Sequence, residues 1–278
     1  MEIKDLYDRV LFRIKNQGIL SLLKVMLKKT HDFIKPPIPC DGVMKFLEFS
    51  INGKGLEIGG PSYIFSKNGF IPIYPKVRII DNLNFANETI WEGHIASTDF
   101  IYKNKLLGKQ FIMEDNNLQE LENQSYDFII SSEMIQHIAN PLSALYEWRR
   151  VIKDDGYLLL IIPNMEKTFD HRRQLTTLEH MIADYINNVD ESDSTHFEEI
   201  LKYHDLSRDR LAGNFHNFKL RVENNMAIRA VQHHVFNEKS AIDLVNYAGF
   251  EVIDSELYIS TVIVIAKKIN LIEIDRID

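Results

Sequence analysis

The sequence predicts an α/β fold: a mostly parallel sheet with helices on both faces. Three observations carry this. Short apolar runs alternate with helical periodicity from about residue 50 onward. One run, "YLLLIIP" (157–163), is continuously apolar, as in a strand covered on both sides. The last two strand-like runs, "EVIDSELY" and "STVIVIAKK", follow each other so closely that only a hairpin can join them. The final strand is therefore expected to be antiparallel.

Residues 3–31 read as an amphipathic helix. In "GILSLLKVMLKK" the apolar Ile19, Leu20, Leu22, Leu23, Val25, Met26 and Leu27 leave Lys24, Lys28 and Lys29 toward solvent. Such a helix packs on its own domain or on a second subunit, or lies on a membrane surface. "KPPIPCDG" (35–42) breaks it and reads as a linker. The organisation is thus an N-terminal helical segment and linker, 1–42, and a main domain, 43–278. "GKGLEIGG" gives the first strand and "KVRIIDNLNF" a second, ending at Asp81. "KQFIMEDNNL" gives a short third strand ending near Asp115, and "SYDFIISSEMIQHI" a fourth. "NPLSALYEWRRVIKDDG" places Leu142, Leu145, Trp148 and Val151 on one helical face, with Gly156 as the stop. After the apolar fifth strand, residues 164–235 form a polar insertion, a cap. "NEKSAIDLVNYAGF" resumes the helical pattern and ends at Gly249.

The chain has 278 residues and can bury a sizeable core. Its single cysteine, Cys40, excludes an internal disulfide framework and a multi-cysteine zinc site. One cysteine also suits a reducing cytoplasm. The net charge of -8 argues against a nucleic-acid partner. The charge is uneven, since residues 1–35 hold eight Lys/Arg against four Asp/Glu. The charged start, MEIKDLYDRV, does not read as a signal peptide, and no apolar run approaches the ~20 residues of a bilayer span.

Ligands of open α/β sheets bind at the carboxyl ends of the strands. There the sequence offers Glu57, Gly59 and Gly60, then Asp81, then Asp115 with Asn116, then Ser131, Ser132 and Glu133. A carboxylate after the second strand can accept from a ribose diol, and one after the third from an adenine amino group. The turn "GGPS" is poor in glycine, and Pro61 has no N–H to donate. A pyrophosphate needs free turn amides. The set therefore describes a pocket for an adenosine-bearing cofactor without a pyrophosphate.

With these residues in place, the chain resembles the class I S-adenosylmethionine-dependent methyltransferases, of the small-molecule and glycan-modifying type. The matching stretches are "LEIGGPS", "RIID", "IMEDNNLQEL", "YDFIISSEMIQHIANPLSALYEWRRVIKDDGYLLLIIPN" and "GFEVIDSELYISTVIVIAKK". The resemblance implies a seven-stranded, Rossmann-like sheet and S-adenosyl-L-methionine as cofactor. It implies that Glu57, Gly59 and Gly60 shape the methionine end of the pocket, that Asp81 holds the ribose, and that Asp115 with Asn116 holds adenine. Ser131 and Ser132 would line the floor near the sulfonium. The first motif departs from the family at Pro61 and Ser62, where a third small residue is more common.

A hydroxyl acceptor needs a base, and histidine is the usual one near neutral pH. Seven of the ten histidines fall between 171 and 234, inside the cap. The sequence offers His171 as base, beside Asp170, with His137 as the alternative. Arg172 and Arg173 are expected to bind an anionic acceptor. His180, His233 and His234 are expected at the acceptor rim. His180 and Asp184 share a helical face and are the candidates for a divalent metal, which is not the favoured reading. The reading is an O-methyltransferase for a polar small molecule or sugar unit, with polysaccharide biosynthesis as its setting. Its rivals are a NAD or nucleotide-sugar enzyme on a related sheet and a non-catalytic interaction module.

Overall fold

The structure is a computed structural model; it describes residues 40–209 and 211–269. The N-terminal amphipathic helix and most of its linker lie outside the described residues. The strands are β1 (Lys54–Ile58), β2 (Ile79–Asn84), β3 (Glu88–Thr89), β4 (Gly93–His94), β5 (Asp99–Tyr102), β6 (Lys105–Ile112), β7 (Tyr126–Ser132), β8 (Ile152–Pro163), β9 (Phe250–Tyr258) and β10 (Thr261–Lys268). The helices are α1 (Asp41–Ser50), α2 (Pro141–Val151), α3 (Leu178–Ile186), α4 (Phe197–Tyr203), α5 (Phe215–Glu223), α6 (Asn225–Ile228) and α7 (Glu238–Tyr247).

The main sheet has the order β5-β6-β2-β1-β7-β8-β10-β9. Strands β6, β2, β1, β7 and β8 run parallel, and β10 is antiparallel to both of its neighbours. The closing hairpin is as expected. The sheet has eight strands rather than seven, because β5 pairs antiparallel with β6 at the outer edge. Their two-residue turn, Lys103–Asn104, has both φ angles positive (49° and 66°), the conformation that matches strand twist in tight hairpins. Neither residue is glycine, so the usual hairpin signal is missing.

The two faces are covered differently. On one, α2 and α7 pack Leu142, Leu145, Trp148, Ala241, Leu244 and Val245 onto β7, β8 and β10. Asn140 caps α2, accepting from the Ser143 amide (3.0 Å), and Pro141 stands at the first helical position. The other face is covered by α1 and by the loop 59–78, whose Phe65, Ile71, Ile73, Tyr74 and Val77 are buried. Between β1 and β2 only a three-residue 3-10 turn forms, Tyr63–Phe65. Pro61, Pro72, Pro75 and Gly69 deny this segment the helix that usually joins two parallel strands. Gly156 does not stop α2. The helix ends at Val151 and β8 starts at once, with Gly156 at an irregularity in the β7–β8 pairing. A Cβ there would press on the carbonyl of Asp127.

The cap (164–235) follows β8 and carries α3 to α6. It has a small core of its own: Ile200, Ala212, Phe218, Val222 and Val231. Among the described residues no helix is long and apolar enough to cross a membrane.

Candidate functional site

The turn after β1 is built around a buried acid. Glu57 accepts from the Tyr74 hydroxyl (2.7 Å) and the Ser62 amide (2.9 Å). Burial pushes its carboxyl up to about 7. Gly59 has φ 81°, and a Cβ there would collide with Met134; a Cβ on Gly60 would collide with Glu57. The turn amides are all engaged: Gly59 donates to the Leu83 carbonyl (2.8 Å), Gly60 to Asn82 Oδ1 (3.1 Å) and Ser62 to Glu57. Pro61 has no N–H. No donor is left for a pyrophosphate.

Asp81 does not reach the ligand end of the sheet. It pairs with Leu56, in the middle of β1, and the strand continues to Asn84. Its carboxylate accepts from the Tyr126 hydroxyl and the Lys109 amide, both 2.8 Å, and meets Lys54 Nζ at 3.3 Å. Asp81 therefore ties the sheet together from below and is not a ribose ligand. Asn84 holds the strand end instead. Its amide donates to the Gly60 carbonyl (3.0 Å) and accepts from Asn82 and Gln110 (2.9 Å each).

Asp115, by contrast, lines a small pocket with Phe85, Trp91, Met134, His137, Ile138, Glu191 and Arg229. Its Oδ1 is buried without a hydrogen-bond partner. Burial, helped by the Glu191 and Glu114 carboxylates and opposed by Arg229, pushes the Asp115 carboxyl up to about 8. An orphaned acceptor of this kind suits the amino group of an adenine ring. Asn116 is half-buried beside it. Ser131 is buried and donates to the Ile58 carbonyl (3.3 Å), while Ser132 is half-buried at the end of β7. The residues present thus fit an adenosyl cofactor at its adenine end and at the turn, without the expected ribose carboxylate.

Of the two candidate bases, His137 is at the pocket and His171 is not. His137 Nδ1 lies 2.8 Å from the Val231 carbonyl, and its ring packs on Trp91. A carbonyl can only accept, so Nδ1 carries the proton and Nε2 keeps its lone pair. Burial pushes the imidazole down to about 4, so it is neutral at ordinary pH. His171 faces Thr168 and Asp205 instead, outside the pocket lining.

The expected arginine clamp is divided. Arg172 is exposed and bonds Asp205 (3.1 Å). Arg173 is buried, donates to the carbonyls of Gln232 (2.6 Å) and His233 (3.0 Å), and pairs with Asp170 and Glu199. It is a strut of the cap. His233 and His234 are fully buried rather than at a rim. His180, Asp184 and His234 come together with His196, which sequence reasoning did not single out. Trp91, Glu191 and Arg229 were also missed. Arg229 spans Glu114 (3.0 Å) and Glu191 (2.8 Å) across the pocket wall.

The family described as "Methyltransferase domain" matches residues 94–160. That stretch of the chain belongs to a methyltransferase domain. The matched span takes in Asp115, β7, His137 and α2, and leaves the cap outside. The methyltransferase is also similar to solved structures. A methyltransferase from Methanosarcina mazei is 16% identical, covering 81% of this chain and 97% of its own, with TM-score 0.48. One from Aquifex aeolicus is 16% identical, covering 82% and 90%, with TM-score 0.46. One from Mesorhizobium loti is 10% identical, covering 81% and 95%, with TM-score 0.47. Among curated protein sequences none matches the methyltransferase.

Proposed function

We propose that this methyltransferase modifies an oxygen of a polar small molecule or a sugar unit, with His137 as the base. The observation that carries the reading is the His137–Val231 hydrogen bond of 2.8 Å, which puts the proton of a pocket-lining imidazole on Nδ1 and leaves Nε2 its lone pair to take a proton. S-adenosylmethionine supplies a methyl group on a sulfonium, transferred by in-line displacement. Asp115 accepts from the adenine amino group, and Gly59 and Gly60 let the backbone pass close to the ligand. Trp91, Glu191 and Arg229 give the acceptor side an aromatic face and charged hydrogen-bonding groups, the chemistry that sugars and polyols need. The committed turn amides support an adenosyl cofactor over a dinucleotide. The net charge of -8 supports a small acceptor over a nucleic acid. Polysaccharide biosynthesis in the cytoplasm is the proposed setting. The basic N-terminal segment would dock the enzyme on a membrane surface or on another subunit.

The test has two parts. S-adenosylhomocysteine is titrated calorimetrically into wild type and His137→Ala. Labelled methyl transfer from S-adenosylmethionine is then followed into a panel of free and nucleotide-linked sugars, polyols and hydroxy acids. Equal cofactor affinity with kcat lowered about 10²- to 10⁴-fold in the variant is expected. A variant that keeps kcat within a few-fold of wild type removes His137 from the chemistry.

A further inference from the structure

Three histidines far apart in the chain meet at the base of the cap. His180 is on α3, His196 immediately precedes α4, and His234 lies in the segment leading to α7. Each offers one ring nitrogen, and these three atoms lie within 4.8 Å of one another. His180 Nε2 and His196 Nε2 stand 3.2 Å apart. Two nitrogens bound to one tetrahedral cation at about 2.0–2.1 Å stand about 3.3 Å apart. The observed spacing is therefore that of two ligands sharing an ion.

A carboxylate lies beside two of them. Asp184, one helical turn after His180, places Oδ2 3.4 Å from His180 Nε2 and 3.9 Å from His234 Nε2. That oxygen is buried without a hydrogen-bond partner. So is His234 Nδ1, in a ring that is 0% exposed. Buried polar atoms rarely go unpaired, and both belong to residues of this cluster. The rings also have hydrogen-bonding surroundings. A ligating histidine gives its other N–H to a carbonyl or a carboxylate. His234 Nε2 lies 3.2 Å from the Ala139 carbonyl, and His196 Nδ1 faces Glu199 at 3.7 Å.

We propose that His180, His196, His234 and Asp184 bind one divalent transition-metal ion of the zinc class. Four protein ligands close the coordination shell, so the ion is structural. It clasps three stretches of the cap to the loop that carries His137: the His234 amide donates to the Gln136 carbonyl (3.3 Å), and Asn140 Nδ2 donates to the Asp184 carbonyl (3.2 Å). His180, the ligand with the most exposed side chain, marks the route by which the ion enters. This site is independent of which acceptor the enzyme methylates.

The test uses the full-length protein. Metal content is measured as purified; the protein is then stripped with a chelator and titrated with zinc chloride by calorimetry, with Tm followed in parallel. One zinc per chain is expected, with Tm raised by about 5–10 °C when free zinc stands a hundredfold above Kd. His180→Ala and His196→Ala, both at partly exposed side chains, lose the bound zinc and the Tm response. His216→Ala, an exposed histidine on α5, keeps both. Cobalt(II) substitution gives visible absorption that the same two variants lack. Stripped protein with native circular dichroism that takes up less than one zinc per chain overturns the proposal. So does a His180→Ala or His196→Ala variant that still holds one.

Discussion

Replacing Asp81 separates a structural role from a ligand role. In Asp81→Ala two donors buried in the sheet, the Tyr126 hydroxyl and the Lys109 amide, lose an acceptor that each reaches at 2.8 Å. Each orphaned donor costs about 1–3 kcal/mol, with charge-assisted bonds toward the upper end. The Lys54 pair adds little, because the lysine is 37% exposed. The sum is about 3 kcal/mol, which lowers Tm by about 6–12 °C in a domain of this size. The affinity for S-adenosylhomocysteine should stay within about threefold of wild type, because Asp81 lies three residues before the strand end. Urea denaturation and calorimetric titration, run on the same preparations, read the two quantities. A variant of near-normal stability that loses cofactor affinity tenfold or more would show that Asp81 reaches the ribose, and β2 would then have to pair with β1 in a different register.

Two further outcomes follow from buried charges. The Glu57 carboxyl, about 7 when folded against 4.5 unfolded, holds its proton more tightly in the native state. The stability it contributes is full below about pH 4.5 and falls as pH rises toward 7, by about 3 kcal/mol. Glu57→Gln should remove that slope; urea midpoints for both proteins between pH 5 and 8 check it, and parallel curves would refute it. Arg173→Ala should loosen the cap by about 3 kcal/mol, since it strips the buried Asp170 of its guanidinium partner, leaving it His204, and two carbonyls of their donor. Faster hydrogen exchange confined to the cap, with the sheet unchanged, is the expected pattern, and uniform protection throughout would contradict it.

The alternation of runs, the apolar fifth strand and the closing hairpin were legible in the sequence because they follow from burial on two faces. The end of β2 was not. "IIDNLN" turns polar after Ile80, which reads as a strand running out. In the structure Asn82 and Asn84 are buried, and their amides satisfy one another, Gln110 and the Gly60 carbonyl. Polarity marked a buried amide network there, not a strand end. The missing crossover helix after β1 was written in the prolines of that loop. Asp115 was legible because its strand ends just before it, at Ile112. The histidines gave no usable spacing. His180, His196 and His234 are separated by stretches whose path only the folded cap defines, and His171 drew attention through sequence neighbours that point elsewhere.

The cap's own small core has a consequence for local stability. Ile200, Ala212, Phe218, Val222 and Val231 form a cluster separate from the sheet's core, whereas Met181 of α3 belongs to the sheet's core. Units with separate cores open at separate free energies. The stretch from α4 to α6 is therefore expected to open locally before α3 and the strands beneath it do.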